Sequence, residues 1–387
     1  MACLRAFLQR GRHIALYGER GVGKTSLANI IPRLITDANL PQTDAIRVDC
    51  NTTDSYNSVW KKIFRRLEMP IPDQLESNSL DPIDPEEIIY LLEKRDRTNL
   101  IVIDEFDRME NDDALTLLAD TVKAFADASL PTTLMFVGVA SSLTNLLGEH
   151  ESIIRNVEQV RMPRMLTREL EATLQNGYAR IDDLTLSPSA QSQIVQTAEG
   201  LPHYVHTLGS EAALSAINDD RNEVSTADVS RAESDVIRTH SMVSDYRAAT
   251  QSPQPGHLFE EVLLACAYAP RDSVGYFRPA DIRGPLSQIT GRPMEFANFQ
   301  RHLTEMSDEH RRALYKEGPK RGYVYRFRDP LLQPYVKMLA RAKGRIDNEL
   351  SEKLGREQQK LSVGSFLDPE ANEPQLPFGQ SQIDPLD

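Results

Sequence analysis

The sequence predicts an α/β protein in three layers, a parallel sheet between layers of helices, followed by a small helical domain and a basic domain of three helices and a hairpin. Three observations carry that expectation. Short apolar runs alternate with longer stretches of helical periodicity through the first 165 residues. Strand patterns then cease over about 166–249, and the charge balance changes sign at residue 256.

The runs HIALY (13–17), AIRVDC (45–50), NLIVIDE (99–105), TLMFVGVA (133–140) and VEQVRM (157–162) read as five buried strands. Helices are expected between them at 24–37, 55–68, 85–96, 112–128 and 142–149. Four prolines between 68 and 85 mark a surface loop. From Leu166 to Ala249 the turn signals delimit helices only. Ser187 precedes Pro188 at a first helical position, and Ser225 and Asp228 have the spacing of a capping box. QSPQPG (251–256) is a linker by composition. Helices at 257–268, 279–289 and 294–306 lead to RRALYKEGPKRGYVYRF (311–327), two strand-like runs about the turn GPKRG. Asp329 and Pro330 then start a helix to about Lys343. Three helices and a basic hairpin spell a winged helix. The domains expected are therefore 1–165, 166–250 and 256–345. Residues 346–387, rich in Pro, Gln, Asp and Glu, are expected to be disordered, with SFLDPE or QLPFGQ as a docking motif.

The chain has 387 residues, 40% hydrophobic and 26% charged, which fits two or three soluble globular domains. It has no run of 18 apolar residues, and its start carries an arginine every few positions, so neither membrane insertion nor export is expected. Cys3, Cys50 and Cys266 are far apart, which suggests neither a disulfide framework nor a paired metal motif and points to a reducing cytoplasm. The net charge of -13 argues against nonspecific nucleic-acid binding by the whole molecule. Residues 256–345, however, hold 16 Lys and Arg against 10 Asp and Glu, whereas 346–387 hold 3 against 9. A basic surface would belong to the third quarter of the chain.

YGERGVGKTS (17–26) sits between a buried strand and a helix, with the spacing of a phosphate-binding loop. Gly18, Glu19, Arg20, Gly21, Val22 and Gly23 would curl so that backbone N–H groups face phosphates at the helix N-terminus. Lys24 would neutralise the β and γ phosphates, Thr25 would ligate Mg²⁺, and Ser26 completes the loop. NLIVIDEFDRM is an apolar strand ending in two acids: Asp104 would hold Mg²⁺ through water and Glu105 would polarise an attacking water. The alternative reading of those acids is a solvated strand end.

These two motifs, with a separate strand between them, resemble the P-loop NTPases of the additional-strand class, and the helical region after the sheet resembles the lid of an AAA+ protein. The resemblance spans roughly 12–345 and is strongest to replication-initiator-like and archaeal-type AAA+ ATPases, in which a winged helix follows the lid; STAND-type ATPases share similar loops. It implies ATP and Mg²⁺ as cofactors and an ATPase activity. It also implies a polar sensor after the strand TLMFVGVA, at Ser141 or Ser142, and an arginine finger just before the fifth strand, at Arg155. Arg155 can equally cap a helix C-terminus; as a finger it would act across a subunit boundary and imply a homo-oligomer. Arg161 and Arg164 are lesser candidates. Where the family carries a lid arginine, this chain has GLPHYVHTLG, so His203 stands at the second sensor. Only about a dozen residues precede HIALY, so ATP over GTP rests on the resemblance, with the lack of a guanine-reading NKxD motif in support.

In MEFANFQRHLTEM, Phe296, Phe299, Leu303 and Met306 recur at helical spacing and are expected to face the core. Asn298, Arg301 and His302 would then face outward toward a DNA groove, and Lys320 and Arg321 at the hairpin tip suit phosphates. Tyr315, Tyr323, Tyr325 and Phe327 alternate as a packing face. Winged helices also bind proteins, so duplex DNA and a protein effector both stay open as partners. His203 and His206 lie three apart, but with no Cys or acid beside them they are not expected to hold a metal.

Overall fold

The computed structural model describes residues 7, 12–37, 42–76, 81–109, 111–138, 155–254, 256–272, 275–319 and 322–366. The chain divides into two compact units, Met1–Pro163 and Arg164–Asp387.

The first unit is built on five parallel strands, β1 (His13–Tyr17), β2 (Thr43–Asp49), β3 (Thr98–Asp104), β4 (Thr132–Gly138) and β5 (Val157–Arg161), in the order β2-β3-β4-β1-β5. The apolar runs are continuous because the sheet is covered on both faces, and period-2 alternation sorts them. Ala15, Ile101, Ile103, Leu134 and Phe136 pack with Trp60, Phe64 and Phe125 on one side. Ile14, Leu16, Leu100, Val102, Met135 and Val137 pack with Ala28, Ile31 and Ile35 on the other. The helices are α1 (Lys24–Asp37), α2 (Tyr56–Arg66), α3 (Asp73–Glu76), α4 (Pro85–Glu93) and α5 (Asp112–Asp127). Of these only the single turn α3, inside the proline-rich loop, lies outside the sequence expectation. Their starts are capped by side chains: Ser58 N–H donates to Ser55 Oγ, Glu86 N–H to Asp84 and Ala114 N–H to Asn111. The helix expected at 142–149 lies outside the described residues.

This strand order decides where chemistry can occur. β4 lies between β1 and β3, so the loop after β1 and the acids after β3 open at the same carboxyl edge, two strand spacings or roughly 10 Å apart.

The second unit starts with α6 (Thr167–Tyr178), α7 (Pro188–Ala198), α8 (Pro202–Asn218), α9 (Thr226–Thr239) and α10 (Met242–Thr250). The capping sites read from the sequence form: Ala190 N–H donates to Ser187 Oγ, and Asp228 closes the box with Ser225 while also accepting from Arg221 and Ser215. Contrary to the strand-free expectation, two-residue strands β6 (Thr185–Leu186) and β7 (Glu223–Val224) pair in parallel. They are too short to show a periodicity in sequence. The chain continues with α11 (Phe259–Tyr268), an antiparallel bridge between Phe277 and Tyr325, α12 (Pro279–Thr290), α13 (Phe296–Ser307), the hairpin β8 (Leu314–Glu317) and β9 (Val324–Phe327), and α14 (Leu332–Ala342).

Two expectations are corrected here. The break at 250–256 does not separate independent bodies. Tyr204 Oη donates to Leu331 O at 2.7 Å, Tyr335 Oη to Ile237 O at 3.0 Å, and Arg311 to the carbonyls of Ala249 and Gln251. Glu199, the left-handed cap of α7, forms an ion cluster with Lys337, Arg271 and Arg164 that Gln333 joins by hydrogen bond. A composition-based linker therefore joins two packed halves. Nor is 346–387 disordered from its start: Asn348–Phe366 form α15. Leu354 and Gln358 are buried one turn apart, and Gln358 donates to Ala267 O and Ala269 O and accepts from Lys337 Nζ. A glutamine on the buried seam interrupts the apolar pattern that would have announced this helix. SFLDPE runs past residue 366 and QLPFGQ lies wholly beyond it, outside the described residues.

Candidate nucleotide site

Gly18 follows β1 at a point where a Cβ would stand 2.4 Å from Met162 O, so the loop leaves the sheet only with glycine. Gly21 and Gly23 have φ of +86° and +99°, the left-handed region that side chains resist. Val22 is fully buried and anchors the turn, whereas Glu19, Arg20 and Ser26 are at least partly open to solvent. Helix α1 begins at Lys24, so the free N–H groups of its first turn lie beside the loop.

Lys24 Nζ donates to Gly18 O at 3.0 Å and Glu19 O at 2.8 Å, which folds its side chain back over the loop. Burial lowers its pKa, opposed by the charges of Asp107, Asp104 and Glu19. Asp104, at the end of β3, is 2% exposed. Its Oδ1 accepts the Glu105 N–H at 2.8 Å, and the Thr25 hydroxyl bonds to the same carboxylate. Burial raises the Asp104 pKa, with the Glu105 amide and the Arg47 guanidinium acting against it.

Glu105 has φ +54° and ψ +33°, a left-handed conformation that costs on the order of 1 kcal/mol for a residue with a side chain. That turn lifts its carboxylate out of the sheet, half exposed, and Arg108 Nη1 holds Oε2 at 2.8 Å. The structure thus brings Gly18 through Ser26, Asp104 and Glu105 together. These residues fit a magnesium-bound nucleoside phosphate: a glycine cradle, a lysine, a hydroxyl already bonded to a buried carboxylate, and a second acid beside them.

Three members of this cluster were not singled out from sequence. Asp107 lies beneath the end of β4, its Oδ1 3.1 Å from where a Cβ on Gly138 would stand, and its charge acts on Lys24. Asp107 could have been noticed as the third acid of DEFD. Arg47 reaches from β2 to Asp104 Oδ2 at 3.0 Å, and Arg108 holds Glu105. Neither arginine carries a signal until the strand order is known.

The remaining candidates are dispersed. Arg155 is exposed, just before β5, and its carbonyl accepts from Arg12. That is the amino edge of the sheet, so it stands about 16 Å along the strands from its own phosphate loop. Arg164 belongs to the Glu199 cluster. His203 opens α8 in the second unit. Its Nε2 is 3.2 Å from His240 Nε2, and Met242 N–H donates to His240 Nδ1. With Nδ1 accepting, neutral His240 carries its proton on Nε2 and donates it to His203. Among the described residues no group of three or more His, Cys, Asp and Glu is placed to hold a metal. Ser141 and Ser142 lie outside the described residues, as do Lys320 and Arg321.

On α13, Phe299, Leu303 and Met306 are buried as the spacing predicts, but Phe296 is 42% exposed. Asn298 caps the helix by accepting Glu295 N–H. Arg301 is exposed and paired with Glu305 at 2.5 Å. His302 corrects the outward assignment: its Nε2 accepts Leu258 N–H, and its ring packs edge-on against Phe259. Tyr325 and Phe327 face the core, whereas Tyr315 is on the outer face with Arg326 and Arg328 stacked 4.6 and 4.5 Å from its ring. Strand alternation holds, but it places Tyr315 opposite Arg326 and away from the packing face.

Residues 8–147 match the family described as AAA domain. Among solved structures, the Aeropyrum pernix ORC2 protein, described as ADPNP-ADP complexes, is similar with a TM-score of 0.53 at 14% identity, covering 93% of this chain and 92% of that one. Cdc6p from Pyrobaculum aerophilum aligns with a TM-score of 0.47 at 16% identity over 92% of each chain. The Aeropyrum pernix ORC1 protein in complex with DNA aligns with 0.48 at 13% identity, over 95% and 93%. At these identities the likeness concerns the fold. No curated protein matches. No described helix is long and apolar enough to cross a membrane.

Proposed function

We propose that this chain, whose residues 8–147 match the AAA domain, is a slow Mg²⁺-dependent ATPase that works as a nucleotide-controlled switch on duplex DNA. The observation that carries the reading is the convergence of Lys24, Thr25, Asp104 and Glu105 at one sheet edge. Mg²⁺, when held by Thr25 and Asp104, would neutralise negative charge on the phosphates.

The chain's own residues supply the rest. Loop N–H groups and Lys24 hold the phosphates; Lys24 exchanges two carbonyl acceptors for phosphate oxygens, a stronger, charge-assisted pairing. Thr25 and Asp104 hold the metal. Glu105 accepts a proton from water once it leaves Arg108. Arg155, remote from its own loop, acts on a neighbouring copy and makes the ATP state oligomeric. Ser141 is the proposed polar sensor, and His203 stands at the sequence position of the second sensor.

The output end is a winged helix at 256–345, with the 16-to-10 excess of basic residues behind a DNA reading. A second reading, a signalling switch whose winged helix binds a protein effector, is favoured by the exposed Phe296 and the inward His302. ATP hydrolysis by the purified protein, with and without duplex DNA and beside a Glu105→Gln variant, separates the two. DNA stimulation that the variant abolishes supports the DNA switch. Turnover indifferent to DNA, or nucleotide held without turnover, supports the effector reading. Hydrolysis that survives Glu105→Gln would sink the assignment of the base.

A further inference from the structure

Arg47 stands on edge strand β2 and reaches into the metal-binding end of the candidate site. Its Nη2 contacts both Asp49 Oδ1 and Asp104 Oδ2, the latter at 3.0 Å, and its Nη1 donates to Asn29 on α1. The register of β2 on β3 makes Asp49 and Asp104 direct neighbours. Two carboxylates at paired positions repel each other, and one of them is buried. The guanidinium between them relieves that repulsion and cannot deprotonate to leave.

From this geometry, and resting on the magnesium-nucleotide reading above, we propose that Arg47 is a built-in competitor for the metal, exchanging with Mg²⁺ at Asp104 and setting how much Mg²⁺ the protein needs to retain nucleotide. Asp104 Oδ1 is occupied by the Glu105 amide, whereas Oδ2 is the oxygen that Arg47 contacts and that a cation would share. A divalent ion approaching it meets a fixed positive charge a few ångströms away. Arg47 can yield without being stranded, because Asp49 and Asn29 remain as partners and its side chain is 25% exposed. The exchange is therefore reversible. An arginine makes it sharper than a lysine would, because the planar fork holds three oxygens on three elements at once.

The experiment is a titration of Mg²⁺ into full-length protein with a fluorescent ADP analogue, read by anisotropy, for the native chain, Arg47→Ala and Arg47→Lys. Folding of each variant is checked by circular dichroism. Arg47→Ala is expected to lower the Mg²⁺ concentration at half-saturation about three- to fivefold, the scale of one partly exposed ion pair. Arg47→Lys, which keeps the charge without the fork, is expected to lower it about twofold and serves alone if the alanine variant does not fold. An unchanged or raised Mg²⁺ requirement, with the analogue still bound, overturns the role of Arg47 and leaves the nucleotide reading standing. Failure of the native chain to bind the analogue at any Mg²⁺ concentration overturns both.

Discussion

Glu199 and Lys337 form an ion pair in the interior of the second unit, with the carboxylate at the end of α7 and the ammonium on α14. Burial raises the carboxyl pKa, but the charges of Lys337 and Arg271 outweigh it and hold Glu199 below the usual range; burial lowers Lys337 to about 8. Glu199 immediately precedes Gly200 and the start of α8, where His203 lies, so the pair ties the proposed sensor helix to the C-terminal half. Glu199→Gln leaves buried Lys337 and the partly buried Arg271 and Arg164 without their counter-charge. We expect a loss of roughly 3–5 kcal/mol, seen as an earlier urea transition in far-ultraviolet circular dichroism. Trp60, the single tryptophan, is in the first unit, so its fluorescence transition should stay in place. Coincident early transitions would mean that the effect is not local.

His13 is fully buried, accepts Leu134 N–H at its Nδ1, and has a pKa lowered by burial to about 4. A histidine with a depressed folded-state pKa binds its proton in the unfolded chain first. Stability therefore falls as pH drops from 6.5 toward 4, by roughly 1–3 kcal/mol. Trp60 and His13 both pack against Phe125, so tryptophan fluorescence during urea unfolding reads it directly. His13→Leu should start from a lower midpoint and show a flatter profile over that range. An equally steep profile in the variant would assign the acid sensitivity elsewhere.

Thr25→Ala removes one of the polar partners of Asp104 together with a proposed metal ligand. Nucleotide affinity should drop about tenfold or more in Mg²⁺ and change little in EDTA. Calorimetry in both buffers checks this, and an equal loss in both would point to a loop that has simply misfolded.

Truncation after Gly344 deletes α15 and with it the Gln358 side chain that satisfies Lys337 and the carbonyls of Ala267 and Ala269. The melting temperature should fall, by an amount corresponding to roughly 2–4 kcal/mol. Truncation after residue 366 should leave it unchanged. If both truncations are neutral, the helix contributes nothing to the fold.

For duplex DNA, Arg301→Ala alone should weaken binding only slightly, because Glu305 already engages that guanidinium. Changing Arg301, Lys320 and Arg321 together should lower the slope of log affinity against log salt by up to about 3. A slope equal to that of the native protein would remove these three residues from the DNA reading.

The sequence by itself determined the strands of the five-stranded sheet and of the hairpin, nearly every helix and the phosphate loop, because each is a local pattern. Apolar runs must be buried, capping residues serve their own first turn, and the phosphate loop turns through positive φ at Gly21 and Gly23. Lys24, Thr25, Asp104 and Glu105 were legible for that reason. The tertiary structure alone decided which distant residues share a site. Strand order set Arg47 beside Asp104, and packing turned His302 inward and Phe296 outward, since the direction of a side chain depends on what stands opposite it. It also decided that α15 forms, through the pairing of Gln358 with Lys337 and two carbonyls. A polar residue buried on a helix seam looks like solvent exposure until its partners are in place.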